Sequence, residues 1–167
     1  MGEVCAEIEP IGGVRVRPWR ASDAEVLVDA WHDPEIGRWN PVPADRTLEF
    51  AAAWIEGTSS QTVASVGIDV VIVDAADRIF GEIGFQVDPG RKIAELGFWI
   101  TSAHRAHGHG RSLLGLSVAL AERLELVGLV AITDAANAAA VALLETSGWI
   151  EVPTTSARRT FARRLAA

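Results

Sequence analysis

The stretch Glu95-Leu96-Gly97-Phe98-Trp99-Ile100, running into Thr101-Ser102-Ala103-His104-Arg105-Ala106-His107-Gly108-His109-Gly110-Arg111-Ser112-Leu113-Leu114, constrains this chain more than any other. It reads as a strand that breaks into a polar, glycine-containing loop and then opens an apolar-periodic helix. The first turn of a helix has N–H groups without intrahelical partners, and the aligned peptide dipoles add partial positive charge there. The loop is therefore a place to hold an anion. Gly108 and Gly110 carry no Cβ and leave the main chain open to approach, while Arg105 and Arg111 flank the loop among His104, His107 and His109. A phosphorylated ligand is the first expectation.

Generic phosphate motifs do not account for it. A dinucleotide fingerprint needs a third glycine where Leu113 stands, and a P-loop needs Gly-Lys-Ser/Thr, whereas the only lysine is Lys92. The histidines match no zinc spacing and Cys5 is the only cysteine, so no metal is expected. A lone cysteine also forbids an internal disulfide and points to a reducing, cytoplasmic setting. The formal net charge of −7 argues against general nucleic-acid binding; it suits a cationic substrate, and equally plain solubility. Arg91, Lys92, Arg105 and Arg111 stand close in sequence to the loop, a local inversion of that sign. The acidic Met1-Gly2-Glu3-Val4-Cys5-Ala6 lacks the layout of a signal peptide, and no apolar run nears the roughly 18 residues of a membrane span.

A length of 167 residues suits one domain, 1–167, with its core from about 14 to 165. Val14-Arg15-Val16-Arg17-Pro18-Trp19 alternates and predicts a first strand. Ser22-Asp23-Ala24-Glu25 is a capping-box pattern that starts a helix from about Asp23 to His32, with Leu27 and Trp31 inward. Gly37 to Pro43 is expected to be a loop. A helix from Thr47 to Glu56 places Phe50 and Trp54 on one face, as core residues or, less commonly, with Trp39 as the wall of an acceptor pocket. Strands are expected over Thr62–Asp74, Arg78–Val87 and Lys92–Ile100, antiparallel because their connections are short. Leu113, Leu116, Leu120 and Leu124 stripe the helix after the loop, and Leu129-Val130-Ala131-Ile132-Thr133 is a buried strand parallel to the one before it. A helix from Asn137 to Thr146 stops at Gly148, and strands at Trp149–Val152 and Thr160–Leu165 complete the chain.

Arg105-x-x-Gly108-x-Gly110 fits the Gln/Arg-x-x-Gly-x-Gly/Ala pattern, and here the chain resembles the GNAT family of acyl-CoA-dependent N-acetyltransferases. Val14 to Trp19 with Asp23, the strand Ala94 to Trp99, and Asn137 followed by Leu143 to Trp149 are similar to its ribosomal-protein N-terminal acetyltransferase branch. The resemblance covers Val14 to Leu165. It implies an α/β (α+β) GNAT fold, with a mixed, mostly antiparallel sheet and a parallel pair splayed at the cofactor site. It implies acetyl-CoA as co-substrate and transfer to a primary amine, a small molecule or a protein N-terminal α-amine. Backbone N–H groups from His107 through Gly108, His109, Gly110 and Arg111 to Ser112 would hold the pyrophosphate, with charge from Arg105 and Arg111. Solvated surface is the plain alternative for both arginines. Main-chain groups of Phe98, Trp99 and Ile100 would meet the pantetheine arm. Asn137 matches the family asparagine near the cofactor, and a helix N-cap explains it equally well.

An amine must lose a proton before it attacks a thioester. Glu82 and Glu95 are the candidate bases, direct or through water, although a charge on the solvent face of a sheet is the ordinary reading of each. Glu82 shares a face with Gln86, and Glu95 with Trp99. No acid for the departing thiolate is evident. The chain has no tyrosine, the branch's serine position is Ala140, and Ser147 lies two turns further on. An alternative from another class is thus a non-catalytic acyl-CoA-binding or regulatory module. Oligomeric state is left open by the sequence.

Overall fold

Alternating apolar residues build a sheet with two different faces. The computed structural model describes residues 1–62, 64–154 and 157–166. Its helices are α1 (Gly2–Ala6), α2 (Ala24–His32), α3 (Pro34–Trp39), α4 (Leu48–Ser59), α5 (His109–Arg123) and α6 (Ala138–Thr146). Its strands are β1 (Arg15–Pro18), β2 (Gly67–Val73), β3 (Ile79–Asp88), β4 (Ile93–Ile100), β5 (Gly128–Asp134), β6 (Ile150–Val152) and β7 (Arg158–Arg164). They form one sheet in the order β1-β2-β3-β4-β5-β7-β6. Pairing is antiparallel along β1 to β4 and among β5, β7 and β6, and parallel only between β4 and β5. The expected α/β GNAT arrangement is the one observed.

The period of two sorts residues between faces. Ile68, Val70, Ile72, Ile83, Phe85, Ala94 and Leu96 turn to a core shared with α1 and the leucine stripe of α5. Val71, Val73, Ile79 and Trp99 turn the other way, to a core with Leu27 and Trp31 of α2, Ile36 of α3, and Ala51 and Ile55 of α4. Register places Gly67, Gln86 and Glu95 side by side on this second face, then Asp69, Gly84 and Gly97, then Val71, Glu82 and Trp99. These rows become the floor of a cavity.

Several expectations need correction. The loop expected from Gly37 begins only at Asn40, because Pro34 occupies the first turn of α3 and Asp33 caps it by accepting from Glu35 N (2.9 Å) and Ile36 N (3.4 Å). The strand expected from Thr62 starts at Gly67, and Val63 lies outside the described residues. The capping box expected over Ser22 to Glu25 gives way to one over Arg20 to Asp23, in which the Asp23 carboxylate accepts from Arg20 N (2.8 Å) and also from both terminal nitrogens of Arg17 (2.7 and 3.1 Å). Arg91 and Lys92 sit at the opposite end of β4 from the glycine loop, about 25 Å away at strand rise, so they do not belong to its charge. Among the described residues, no helix is long and apolar enough to cross a membrane.

Candidate active site

The parallel ladder between β4 and β5 is short. It joins Ile93 to Gly128, Ala94 to Leu129 and Glu95 to Val130, after which Leu96–Ile100 and Ala131–Asp134 run on without pairing to each other. The wedge opened by this splay leads to a cavity of about 460 Å³. Phe98, Trp99 and Ile100 line it from β4, Arg105, Ala106, Gly108, Gly110 and Arg111 from the loop, and Asn137, Ala139, Ala140 and Leu143 from the α6 side.

Ala106 (φ 62°) and Gly108 (φ 83°) are both left-handed, a local geometry that gathers successive main-chain donors around an anion, and Gly108 caps α5. The N–H groups of His109 and Gly110 open α5 without an intrahelical acceptor, while Arg111 N donates to Gly108 O (3.3 Å). Gly110 has a further reason to be glycine: a Cβ there would lie 2.8 Å from Leu143 Cδ2, so its absence lets α6 close against α5.

The loop side chains divide. Arg111 is exposed and lines the cavity. Arg105 also lines it, but its Nε donates to Ile100 O (2.9 Å) and its Nη2 pairs with Asp33 Oδ2 (2.5 Å), tying the loop to the cap of α3. Burial alone would raise Asp33, but the Arg105 hydrogen bond, neighbouring N–H groups and the arginine charge outweigh it and hold the carboxylate below its ordinary value. His104 and His109 lie on Phe80, with ring centroids 4.0 and 4.6 Å away, and His107 Nδ1 donates to Arg105 O (2.6 Å). His107, His109 and Ser112 do not line the cavity. Asn137 is both cap and lining residue: Oδ1 accepts from Ala140 N (3.1 Å), and the residue borders the cavity. Ala140 brings only a methyl group, and Ser147 lines a separate groove with Arg163 and Trp149.

A second cavity, about 510 Å³, lies over the bare glycine floor of β3 and β4. Phe50, Trp31 and Trp54 wall it, so Phe50 and Trp54 are lining residues rather than interior core, while Trp39 borders the other cavity. Trp31 lies 5.9 Å from Phe50 and 6.3 Å from Trp54, ring centre to ring centre. Both candidate bases reach this cavity, but in different settings. Glu95 is exposed at its outer end. Glu82 is half-buried deep within it and accepts from Trp99 Nε1 (3.2 Å); burial first, then the charge of Asp69, push its carboxyl up to about 8. Asp69, also half-buried, is raised by burial against the opposing hydrogen bond from Gln61. Asp69 and Gln61 were not among the sequence candidates. The available signal was an acid interrupting the apolar run Ile68 to Val73.

The two cavities share Ile36, Asn40, Phe98 and Trp99. A splayed strand beside a helix N-terminus, with a second chamber opening onto the same four residues, defines an enzyme that joins an extended, phosphate-bearing donor to a separate acceptor. The acetyltransferase (GNAT) domain model matches residues 14–150, and the chain belongs to that family: it is an N-acetyltransferase that takes its acetyl group from acetyl-CoA and passes it to an amine. The fold is shared with spermidine N-acetyltransferase of Vibrio cholerae, solved with CoA and spermine (TM-score 0.75, 14% identity, 91% of this chain and 94% of that one). It is shared equally with RimJ of Mycobacterium smegmatis, solved with CoA-disulfide (TM-score 0.78, 17% identity, 93% and 83%). No curated protein sequence matches the chain.

Proposed function

We propose that the chain is one acetyltransferase domain that acetylates a cationic primary amine, either a small molecule or a protein N-terminus, entering through the cavity over Gly84 and Gly97. Acetyl-CoA occupies the wedge between β4 and β5. The observation that carries this reading is the meeting of the two cavities at Phe98 and Trp99. Spermine and CoA in the Vibrio cholerae relative, and CoA-disulfide in RimJ, agree with a donor and an amine acceptor on this fold.

Each residue then has a task. N–H groups at the start of α5 hold the pyrophosphate, and exposed Arg111 adds charge. The N–H and C=O groups of Phe98 to Ile100 on the side facing β5 receive the pantetheine amides as an added strand. Asn137 keeps Oδ1 on its cap and turns its amide to the cavity. Glu82 takes the proton of the acceptor, directly or through water, and the free amine attacks the acetyl carbonyl. The tetrahedral adduct collapses by breaking the C–S bond, and the second proton of the former amine passes to water or to the departing thiolate. A thiol with an ordinary value near about 8.5 leaves as thiolate without a dedicated acid, which suits the methyl of Ala140. Glu95, at the mouth, attracts the cation rather than handling the reacting nitrogen. The single cysteine, Cys5, agrees with a reducing setting such as the cytoplasm.

Calorimetric titration with acetyl-CoA tests the donor half. Parent protein is expected to bind, and Ala139→Trp, an exposed residue bordering the wedge, is expected to lose binding by steric blockage while melting normally. A parent that binds no acetyl-CoA removes the reading. The methyl at Ala140 favours one rival, acyl-CoA binding without transfer. Binding without release of CoA across a broad panel of amines and N-terminal peptides would establish that rival.

A further inference from the structure

Asp69 and Glu82 converge on one point. A Cβ built on Gly84 would lie 3.0 Å from Asp69 Oδ1 and 3.7 Å from Glu82 Oε1, so both oxygens reach over a residue with no side chain. The remaining oxygens are held: Gln61 Nε2 donates to Asp69 Oδ2 (2.8 Å), and Trp99 Nε1 donates to Glu82 Oε2 (3.2 Å). Gln61 grips twice, since its Oε1 also accepts from Asp69 N (2.8 Å). Oδ1 and Oε1 are left facing the cavity.

Among the described residues neither carboxylate has an arginine or lysine partner, and no basic residue lines this cavity. Two desolvated acids this close do not both ionise readily, so the pair offers about one negative charge at neutral pH. Around it stand Trp31, Phe50 and Trp54, with Pro41 and Val42 beyond. Aromatic faces attract a cation and bury an apolar body. The only other acid lining the cavity is exposed Glu95, whose pull on a second charge is weakened by solvent.

We propose that Asp69 and Glu82 form a single-cation subsite over Gly84 that selects compact monoamines with an apolar or aromatic body, with Gln61 as the residue that positions Asp69. This rests on the acetyl-transfer reading above. A polyamine gains one buried anchor there, and its further charges meet only exposed Glu95 and aromatic faces, each a weaker partner than a buried carboxylate.

The test compares 2-phenylethylamine with spermidine as acceptors for parent, Asp69→Asn and Gln61→Ala enzymes, following CoA release. Calorimetry of 2-phenylethylamine on the CoA-loaded proteins accompanies it. The parent is expected to favour 2-phenylethylamine in kcat/KM by about tenfold or more. Asp69→Asn, nearly isosteric, is expected to raise the KM and Kd for that amine about tenfold and leave the KM for acetyl-CoA unchanged; Gln61→Ala is expected to do the same to a smaller degree. Preference for spermidine overturns the selectivity, and an amine KM and Kd within about twofold of the parent in Asp69→Asn overturns the subsite. Both leave acetyl transfer standing. A parent that releases no CoA with any amine defeats the acetyl-transfer reading instead; the calorimetric comparison then decides the subsite alone, with equal Kd values overturning it.

Discussion

Two acidic clusters flank β2 on the same face of the sheet, and only one of them has its cations. At the β1 edge, Arg17 and Asp23 are 5% and 6% exposed and joined by two hydrogen bonds, while Asp77 gathers Arg15, Arg17 and Arg20 around one carboxylate. Burial by itself would lower Arg17, but Asp23 and then Asp77 outweigh it and raise the guanidinium above its ordinary value. Toward β4, Asp69 and Glu82 face an open cavity with no arginine at all. A buried charge that is answered within the chain is architecture. One left unanswered beside a chamber is an invitation to a ligand.

Breaking each cluster is expected to give opposite signs. The largest effect belongs to Asp23→Ala, which takes the two-bond partner from the Arg17 guanidinium and leaves it Asp77 and Pro18 O; urea unfolding should show a loss of about 3 kcal/mol. Next comes Glu82→Gln. An amide there carries no burden of ionising, so thermal unfolding near pH 8 should show a gain of about 1–2 kcal/mol, while kcat falls about a hundredfold as the base is lost. A loss of stability in that variant would show that Glu82 is answered after all.

The pH profile sharpens the same contrast. Burial and Asp69 lift Glu82 from an ordinary 4.5 to about 8, so its contribution to stability is full below the lower value and is lost as pH rises through the upper one. Parent stability should therefore decline from pH 6 to 9 and the Glu82→Gln curve should be flatter, while parent turnover rises over that interval as the base ionises. Asp77 is shifted downward, by its arginines against the effect of burial, and its contribution is lost instead as pH falls through its lowered value. The smallest expected effect is that of Asp77→Asn, about 1 kcal/mol by urea unfolding, because that carboxylate is partly open to water.

What the sequence disclosed follows from how local each feature is. The strand–loop–helix from Glu95 to Leu114 and the leucine stripe of α5 are patterns within one segment, and periodicity reports them. Glu82 was visible as an acid in an apolar strand. Its partnership with Asp69 was not, because only the register of β2 on β3 sets Asp69 against Gly84. The short α3 is legible in part: Asp33-Pro34 is a helix-start signal, but Gly37 and the prolines that follow signal a loop more strongly. Phe50 and Trp54 obey the helical spacing expected of core residues, and nothing in that spacing says that the sheet beneath them is paved with Gly84 and Gly97.

The short parallel ladder has one more consequence. Beyond Glu95 the sheet is missing a strand, and on the proposed reading the substrate's pantetheine arm supplies it. The enzyme's folding then draws on the metabolite it consumes. At a hundredfold excess over Kd, such a ligand adds about 2.7 kcal/mol to the stability of the protein that holds it. Free CoA carries the same arm, so on this reading the product of the reaction steadies the fold as the donor does.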